Sequence, residues 1–174
     1  VAVCEAVEEV CGVRPMLKWP NDPVLNGKKL SGILTELSLE AETGRMQYLV
    51  VGIGLNVGQG EEDFPPELRQ VATSLRQELG TAVSRPALAA AEIRALDRLY
   101  KALRTGDLQA YLEVYRRDCV NLGRTVRLQG PSGEETATAM GIDDEFGLVV
   151  EDGTGNRKTI RSGEVSVRGL YGYV

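Results

Sequence analysis

Apolar side chains recur at Val3, Ala6, Val7 and Val10, the spacing of one helix face, and Gly12 supplies a C-terminal stop. Residues 14–19 then read as a short strand that Pro20 ends. Asn26-Gly27 is a two-residue hairpin signal, set between Val24-Leu25 and a second arm over residues 28–34 that runs on through Glu36 and Leu37. Thr43-Gly44 marks the next turn. Residues 46–57 are strand-like, and the run Leu49-Val50-Val51 predicts a buried strand. The front of the chain therefore predicts a β-meander laid on a helix.

A polar loop over residues 58–66 carries Glu61, Glu62 and Asp63. Thr73 or Ser74 is placed to cap a short helix ending at Leu79. Ser84-Arg85-Pro86 opens a longer helix, with Leu88, Ala91, Ile93, Leu96, Leu99 and Leu103 near a 3.6-residue period, read as its core stripe, and Gly106 at its end. Asp107 starts another helix with Leu108, Tyr111, Leu112 and Tyr115. Beyond Cys119 short runs alternate with turns at regular spacing, the pattern of a small β-barrel. The boundary falls near Asn121. About fifty residues is marginal for independent folding, so this module is expected to lean on the first domain.

Composition narrows the chemistry more than the fold. A hydrophobic share of 43% supports a real core in 174 residues, and no apolar run reaches the length of a membrane span. There is no signal-peptide pattern. The formal charge of −5, with no long basic run, argues against a nucleic-acid binder. Cys4, Cys11 and Cys119 show no CxxC spacing and read as small buried hydrophobes in a reducing cytoplasm. The absence of histidine excludes Ser-His and Cys-His nucleophilic machinery and histidine metal ligation. Any catalysis rests on lysine, carboxylates and backbone N–H groups. The opening at Val1, already inside a helix, reads as a chain with material missing upstream.

The candidate chemistry is concentrated in Lys18-Trp19-Pro20-Asn21-Asp22 and in Asn26 to Glu36, which set two separated lysines, a carboxylate and glycine turns close together. Val51-Gly52-Ile53-Gly54-Leu55-Asn56-Val57 follows about twenty residues on. Lys29, beside Ser31-Gly32, is placed to neutralise charge on a phosphate or carboxylate oxygen. A lysine in such a place is more often a solvated strand residue, and Lys18 and Lys28 are comparable. Asp22 reads as an acceptor for an incoming amine, or as a turn aspartate bonding its own backbone. Gly52-Ile53-Gly54 lets a ligand approach the backbone, although it lacks the third glycine of a dinucleotide fingerprint. Asn56 can offer its amide to a base edge or a phosphate. Trp19 can stack on a ligand, but a lone Trp is more often core.

These blocks resemble the biotin protein ligases. Lys18-Trp19-Pro20-Asn21-Asp22 with Lys29-Leu30-Ser31-Gly32-Ile33-Leu34-Thr35-Glu36 resembles that family's catalytic signature, and Val51 to Asn56 its GxGxN strand. Ala72-Thr73-Ser74-Leu75 matches a further family segment, and Ser162-Gly163-Glu164-Val165-Ser166-Val167-Arg168 resembles the close of its SH3-like domain. The resemblance implies an α+β, class-II-synthetase-like catalytic domain over residues 1–120, incomplete at its N-terminus, followed by a small SH3-like β-barrel over residues 121–174. It implies an ATP-dependent ligase that forms biotinyl-5′-AMP with Mg²⁺ and passes biotin to a lysine of a biotin carboxyl carrier domain, as in acetyl-CoA carboxylase. Lys29 would contact the biotin carboxyl and α-phosphate oxygens, and Asp22 would orient the acceptor lysine and help remove its proton. Lys18, Trp19, Asn21, Gly32, Gly54 and Asn56 would line the substrate and nucleotide site, with Asn21 near the phosphate and metal region and Asn56 on the adenine. No residue is assigned as a metal ligand.

The departures are specific. The family's Arg-Gly-rich loop and upstream biotin-pocket residues have no counterpart, since no Gly-Arg-Gly-Arg string occurs, and no DNA-binding helix-turn-helix precedes the match. A lipoate ligase of the same fold is the nearest rival, and a non-catalytic binding or dimerisation remnant is the rival from another class. An exposed strand edge in the first domain leaves homodimer pairing open.

Overall fold

The computed structural model describes residues 1–130, 133–161, 166–169 and 173. Helix α1 (Ala2–Cys11) buries Ala2, Val3, Cys4, Ala6 and Val7 and stops at Gly12, which is left-handed at φ 71°. A left-handed φ strains any residue with a Cβ, so glycine is the residue that ends this helix cheaply. Three short strands follow: β1 (Met16–Lys18), β2 (Asp22–Leu25) and β3 (Lys28–Lys29), antiparallel in that order. Asn26 and Gly27 both take positive φ in the β2–β3 turn, as an Asn-Gly hairpin turn requires.

The second arm of that hairpin does not run on as one strand. It breaks at Leu30, whose N–H donates to Pro23 O and whose side chain is fully buried. The chain then enters a separate two-stranded ribbon, β4 (Ser31–Leu39) with β5 (Met46–Leu55). In place of one meander there are two sheets. The expected burial of Leu49-Val50-Val51 is corrected as well: these residues are 49%, 47% and 46% exposed. Their β-branched run reports a strand meant for two covered faces, and among the described residues nothing packs over the outer half of the ribbon. Leu34, Leu37, Met46 and Tyr48 are exposed beside them, giving a large open apolar surface.

Short 3₁₀ turns at Glu61–Asp63 and Pro66–Leu68 lead to α2 (Leu75–Leu79), capped by the Ser74 hydroxyl accepting from the Gln77 N–H. Helix α3 (Arg85–Thr105) lies along α1. It buries Leu88, Ala91 and Ala95, whereas Ile93 and Leu103 are exposed, so the stripe read from the sequence was one face too wide. The small alanines let the two helices approach, and Arg98–Glu5 and Arg94–Glu9 ion pairs bridge their rims. Helix α4 (Gln109–Asp118) precedes a five-stranded antiparallel sheet. Its strands are β6 (Thr125–Gly130), β7 (Gly133–Ile142), β8 (Leu148–Glu151), β9 (Arg157–Ile160) and β10 (Ser166–Gly169), ordered β10-β6-β7-β8-β9. Of the segment at residues 162–168, residues 162–165 lie outside the described residues.

One apolar cluster joins this sheet to the front of the chain. Cys4, Leu17 and Trp19 pack with Leu112 and Tyr115 of α4 and with Val126, Leu128, Leu148 and Val150 of the sheet. The late module therefore shares its core with the first elements, as its small size demands. Cys4, fully buried here, has its thiol pushed up to about 11 by burial, the state of an inert packing residue. Among the described helices none is long and apolar enough to cross a membrane.

Asp118, at the end of α4, is buried and accepts from Arg14 Nε at 2.8 Å and from Arg117 Nε at 2.6 Å. Burial opposes its charge, but the hydrogen bonds from Arg117 and Arg14 outweigh it and hold the carboxyl below its ordinary value. Because the folded pKa is lowered, this pair stabilises the fold above the unfolded value and is lost as pH falls through the folded one. Asp118→Asn is expected to cost about 3 kcal/mol at neutral pH. The loss shrinks toward zero in acid, and urea denaturation at several pH values checks it.

Candidate active site

The two lysines and the carboxylate of the signature are brought together by backbone pairing. Lys18 and Asp22 are register partners across the β1–β2 turn, and Val24 opposite Lys29 continues the sheet. Lys29 Nζ lies 2.7 Å from Asp22 Oδ1, with the lysine side chain 37% and the aspartate 14% exposed. The pair is half-buried, so its attraction is less screened than that of a surface pair.

Lys29 is fixed on its backbone too. Its N–H donates to Val71 O at 2.8 Å, and its carbonyl accepts from Thr73 N–H at 2.9 Å. Residues 71–73, which overlap the Ala72-Thr73-Ser74-Leu75 segment, are thus the strap that holds the lysine. Asn56 joins the same knot: its N–H donates to Leu30 O, its carbonyl accepts from Leu75 N–H, and its Nδ2 donates to Thr73 O at 3.0 Å. With one Nδ2 hydrogen engaged, Asn56 retains Oδ1 as an acceptor and its second N–H as a donor, a pair matched to a base edge.

Gly32 and Gly54 face each other across β4 and β5. A Cβ at Gly32 would sit 3.1 Å from Lys29 Cε and 3.2 Å from its Nζ, so the lysine lies over the bare backbone. A Cβ at Gly54 would meet only Gly32 O, at 3.8 Å, so the protein itself does not demand glycine there. Both glycines line a cavity of about 370 Å³ with Lys29 and Asn56, walled on the apolar side by Phe64 and Ala72. An apolar cleft with few polar groups at one end is the usual form of a small-molecule site.

Other sequence candidates are placed differently. Trp19 is 2% exposed, sits in the core cluster, and donates its indole N–H to Phe146 O at 2.9 Å. It supports the turn from behind and does not present a face to the Gly32–Gly54 cavity. Asn21 is exposed and donates Nδ2 to Ile33 O at 2.5 Å, tying the turn to β4. Lys18 is 6% exposed, its Nζ 4.0 Å from the centroid of the Tyr173 ring.

Tyr173 was not legible beforehand. Its hydroxyl donates to Asp22 Oδ2, and it lines the same cavity. It lies 151 positions from Asp22, with no local motif to mark it. Phe64 was likewise hidden in a segment read as loop, whereas Ala72 stood in the family segment Ala72-Thr73-Ser74-Leu75 with no role of its own.

The lysine–aspartate pair, the glycine-floored cleft and the strap at residues 71–73 thus occupy one place. Comparison with known proteins gives the family. Residues 1–56 match the model of the biotin/lipoate A/B protein ligase family, and residues 122–168 match the biotin protein ligase C-terminal domain. The biotin–[acetyl-CoA-carboxylase] ligase of Paracoccus denitrificans is 32% identical over 177 residues, covering 95% of this chain and 69% of that protein. The chain belongs to the biotin protein ligase family.

The bifunctional ligase/repressor BirA of Bacillus subtilis is 35% identical over 158 residues, covering 91% of this chain and 48% of the relative. The chain thus spans about half the length of that relative. The apo biotin protein ligase of Aquifex aeolicus superposes with a TM-score of 0.84 at 31% identity, over 97% of this chain and 71% of that one. The same Aquifex protein in complex with biotin and ATP gives 0.83 at 30% identity, over 97% and 68%. The fold is that of a biotin protein ligase, mixed helix and sheet.

Because only the flexible end of Lys29 must give way, Gly32→Ala is expected to change folding stability by less than about 1 kcal/mol. The same change pushes Lys29 Nζ away from Asp22. Chemical denaturation checks the first expectation and a crystal structure of the variant the second.

Proposed function

We propose that this chain carries the catalytic lysine and aspartate of an ATP-dependent biotin ligase. Such an enzyme activates biotin as biotinyl-5′-AMP and transfers it to a lysine of a biotin carboxyl carrier domain. The observation that carries the reading is the Asp22–Lys29 pair, whose lysine lines a glycine-floored cleft, in a chain of this family. The solved Aquifex relative that binds biotin and ATP supports the choice of substrates. We assign residues 1–120 to part of the catalytic domain and residues 121–174 to the C-terminal domain. The open apolar ribbon β4–β5 supports a site completed by polypeptide outside this sequence.

In the first step a biotin carboxylate oxygen attacks the α-phosphorus of ATP, and the bond to the β-phosphate oxygen breaks to release pyrophosphate. Lys29 supplies a fixed cation where negative charge gathers on the carboxyl and α-phosphate oxygens. Gly32 and Gly54 admit the ligand to the backbone, and Asn56 Oδ1 accepts from the adenine amine. In the second step the acceptor lysine nitrogen bonds to the acyl carbon. The bond from that carbon to the phosphate oxygen breaks, AMP leaves with the electron pair, and Asp22 takes the amine proton.

Among the described residues no group of three His, Cys, Asp or Glu side chains can hold a metal ion. These described residues offer no carboxylate cage for Mg²⁺, which would come with ATP and neutralise part of its phosphate charge. Asn21, at the turn, lies nearest to that role by motif. The chemistry fits a reducing cytoplasm, where ATP and carrier domains meet.

Lys29→Ala, made in the protein at the full length of its relatives, is expected to slow biotin-dependent ATP–pyrophosphate exchange by about a hundredfold or more. An unchanged exchange rate would remove Lys29 from the reaction.

A further inference from the structure

We propose that Tyr173 is a positioning residue for the transfer step, holding Asp22 so that one carboxylate oxygen faces the acceptor amine. The inference rests on the ligase reading and deepens it. Asp22 has two oxygens, and each has a different kind of partner. Oδ1 is paired with Lys29 Nζ at 2.7 Å, and Oδ2 accepts from the Tyr173 hydroxyl.

These two partners have different duties in the reaction proposed. Lys29 is a cation that the adenylate attracts to its own carboxyl and phosphate oxygens, so its hold on Oδ1 is shared once substrate is bound. A carboxylate turns freely about its own bond, and a weakened Lys29 contact leaves its orientation undefined. The phenol supplies the missing constraint. It is a neutral donor, so it fixes Oδ2 without cancelling the negative charge that an incoming lysine needs. Oδ1 is then the oxygen left to take the proton as the new C–N bond forms and the bond to AMP breaks.

The ring of Tyr173 is itself anchored. Lys18 Nζ lies 4.0 Å from its centroid and Lys29 Nζ 5.7 Å, both within the range of cation–π attraction. Lys18 is almost fully buried, so its ammonium gains from a π-face that replaces lost water. The arrangement brings Tyr173, Lys18, Asp22 and Lys29 into one unit drawn from both ends of the chain.

The test uses the protein at the full length of its relatives, with three readouts for Tyr173→Phe and Tyr173→Ala. The first is biotin-dependent ATP–pyrophosphate exchange without carrier, which Tyr173→Phe, keeping the ring in the cavity, is expected to lower less than it lowers transfer. The second is transfer from preformed adenylate to a carrier domain. Its rate at saturating carrier is expected to fall about tenfold for both variants, with little change in KM for the carrier. The third is capture of the adenylate by hydroxylamine, an amine that arrives uncharged at neutral pH, which Tyr173→Phe is expected to lower less than it lowers transfer to the carrier.

Tyr173→Phe transferring at the parent rate would show that only the ring matters and would overturn the proposal. Faster transfer would overturn it as well, making the phenol a plug. Equal loss in all three readouts would reduce Tyr173 to a packing residue. A parent protein that forms no adenylate would sink the ligase reading, and this inference with it.

Discussion

The backbone of Lys29 is held between two carbonyl–amide bonds to a segment more than forty residues away, and everything at the candidate site depends on that lock. A strand edge as short as β3 cannot position a long, flexible side chain by itself. The bonds to Val71 and Thr73 turn it into the middle of a three-way junction, with Asn56 tied to the same strap. Once the Cα of Lys29 is fixed, the bare face of Gly32 lets its side chain lie flat toward Asp22. The ion pair follows from this backbone order together with its own attraction, which partial burial leaves less screened than that of a surface pair.

The carboxylate half of the pair is held from the other side. The turn that carries Asp22 is anchored by Trp19 N–H donating to Asn121 Oδ1 and by Tyr115 hydroxyl donating to Pro20 O, at 2.8 and 2.9 Å. Trp19 reaches beyond both, into the core shared with the last sheet. The C-terminal sheet is therefore part of the support of the site. A residue such as Trp19, in the middle of the signature, serves by filling space and spending its N–H.

Local signals carried much of this into the sequence. Gly12, Asn26-Gly27, Ser74 and Gly106 act within a few residues of themselves, so the helix ends and the first turn were readable from residue type. The family blocks located Lys29, Gly32 and Asn56, which the structure gathers around one cavity, and Asp22, which it pairs with that lysine. What was not readable depends on partners far along the chain. The burial of Leu49-Val50-Val51 depends on what covers a strand, which its own residues do not state. Ile93 and Leu103 keep helical spacing yet face water, because the short alanine face of α3 is the one that meets α1. Tyr173 has no neighbouring motif, and only the fold brings its hydroxyl to Asp22.

The most direct measurement is the intact mass of a biotin carboxyl carrier domain after incubation with Mg-ATP and the protein at the full length of its relatives, with biotin or lipoate in parallel. The account predicts a single biotin-sized gain on the carrier, with biotin only. A lipoate-sized gain, or no gain with either acid, would contradict it.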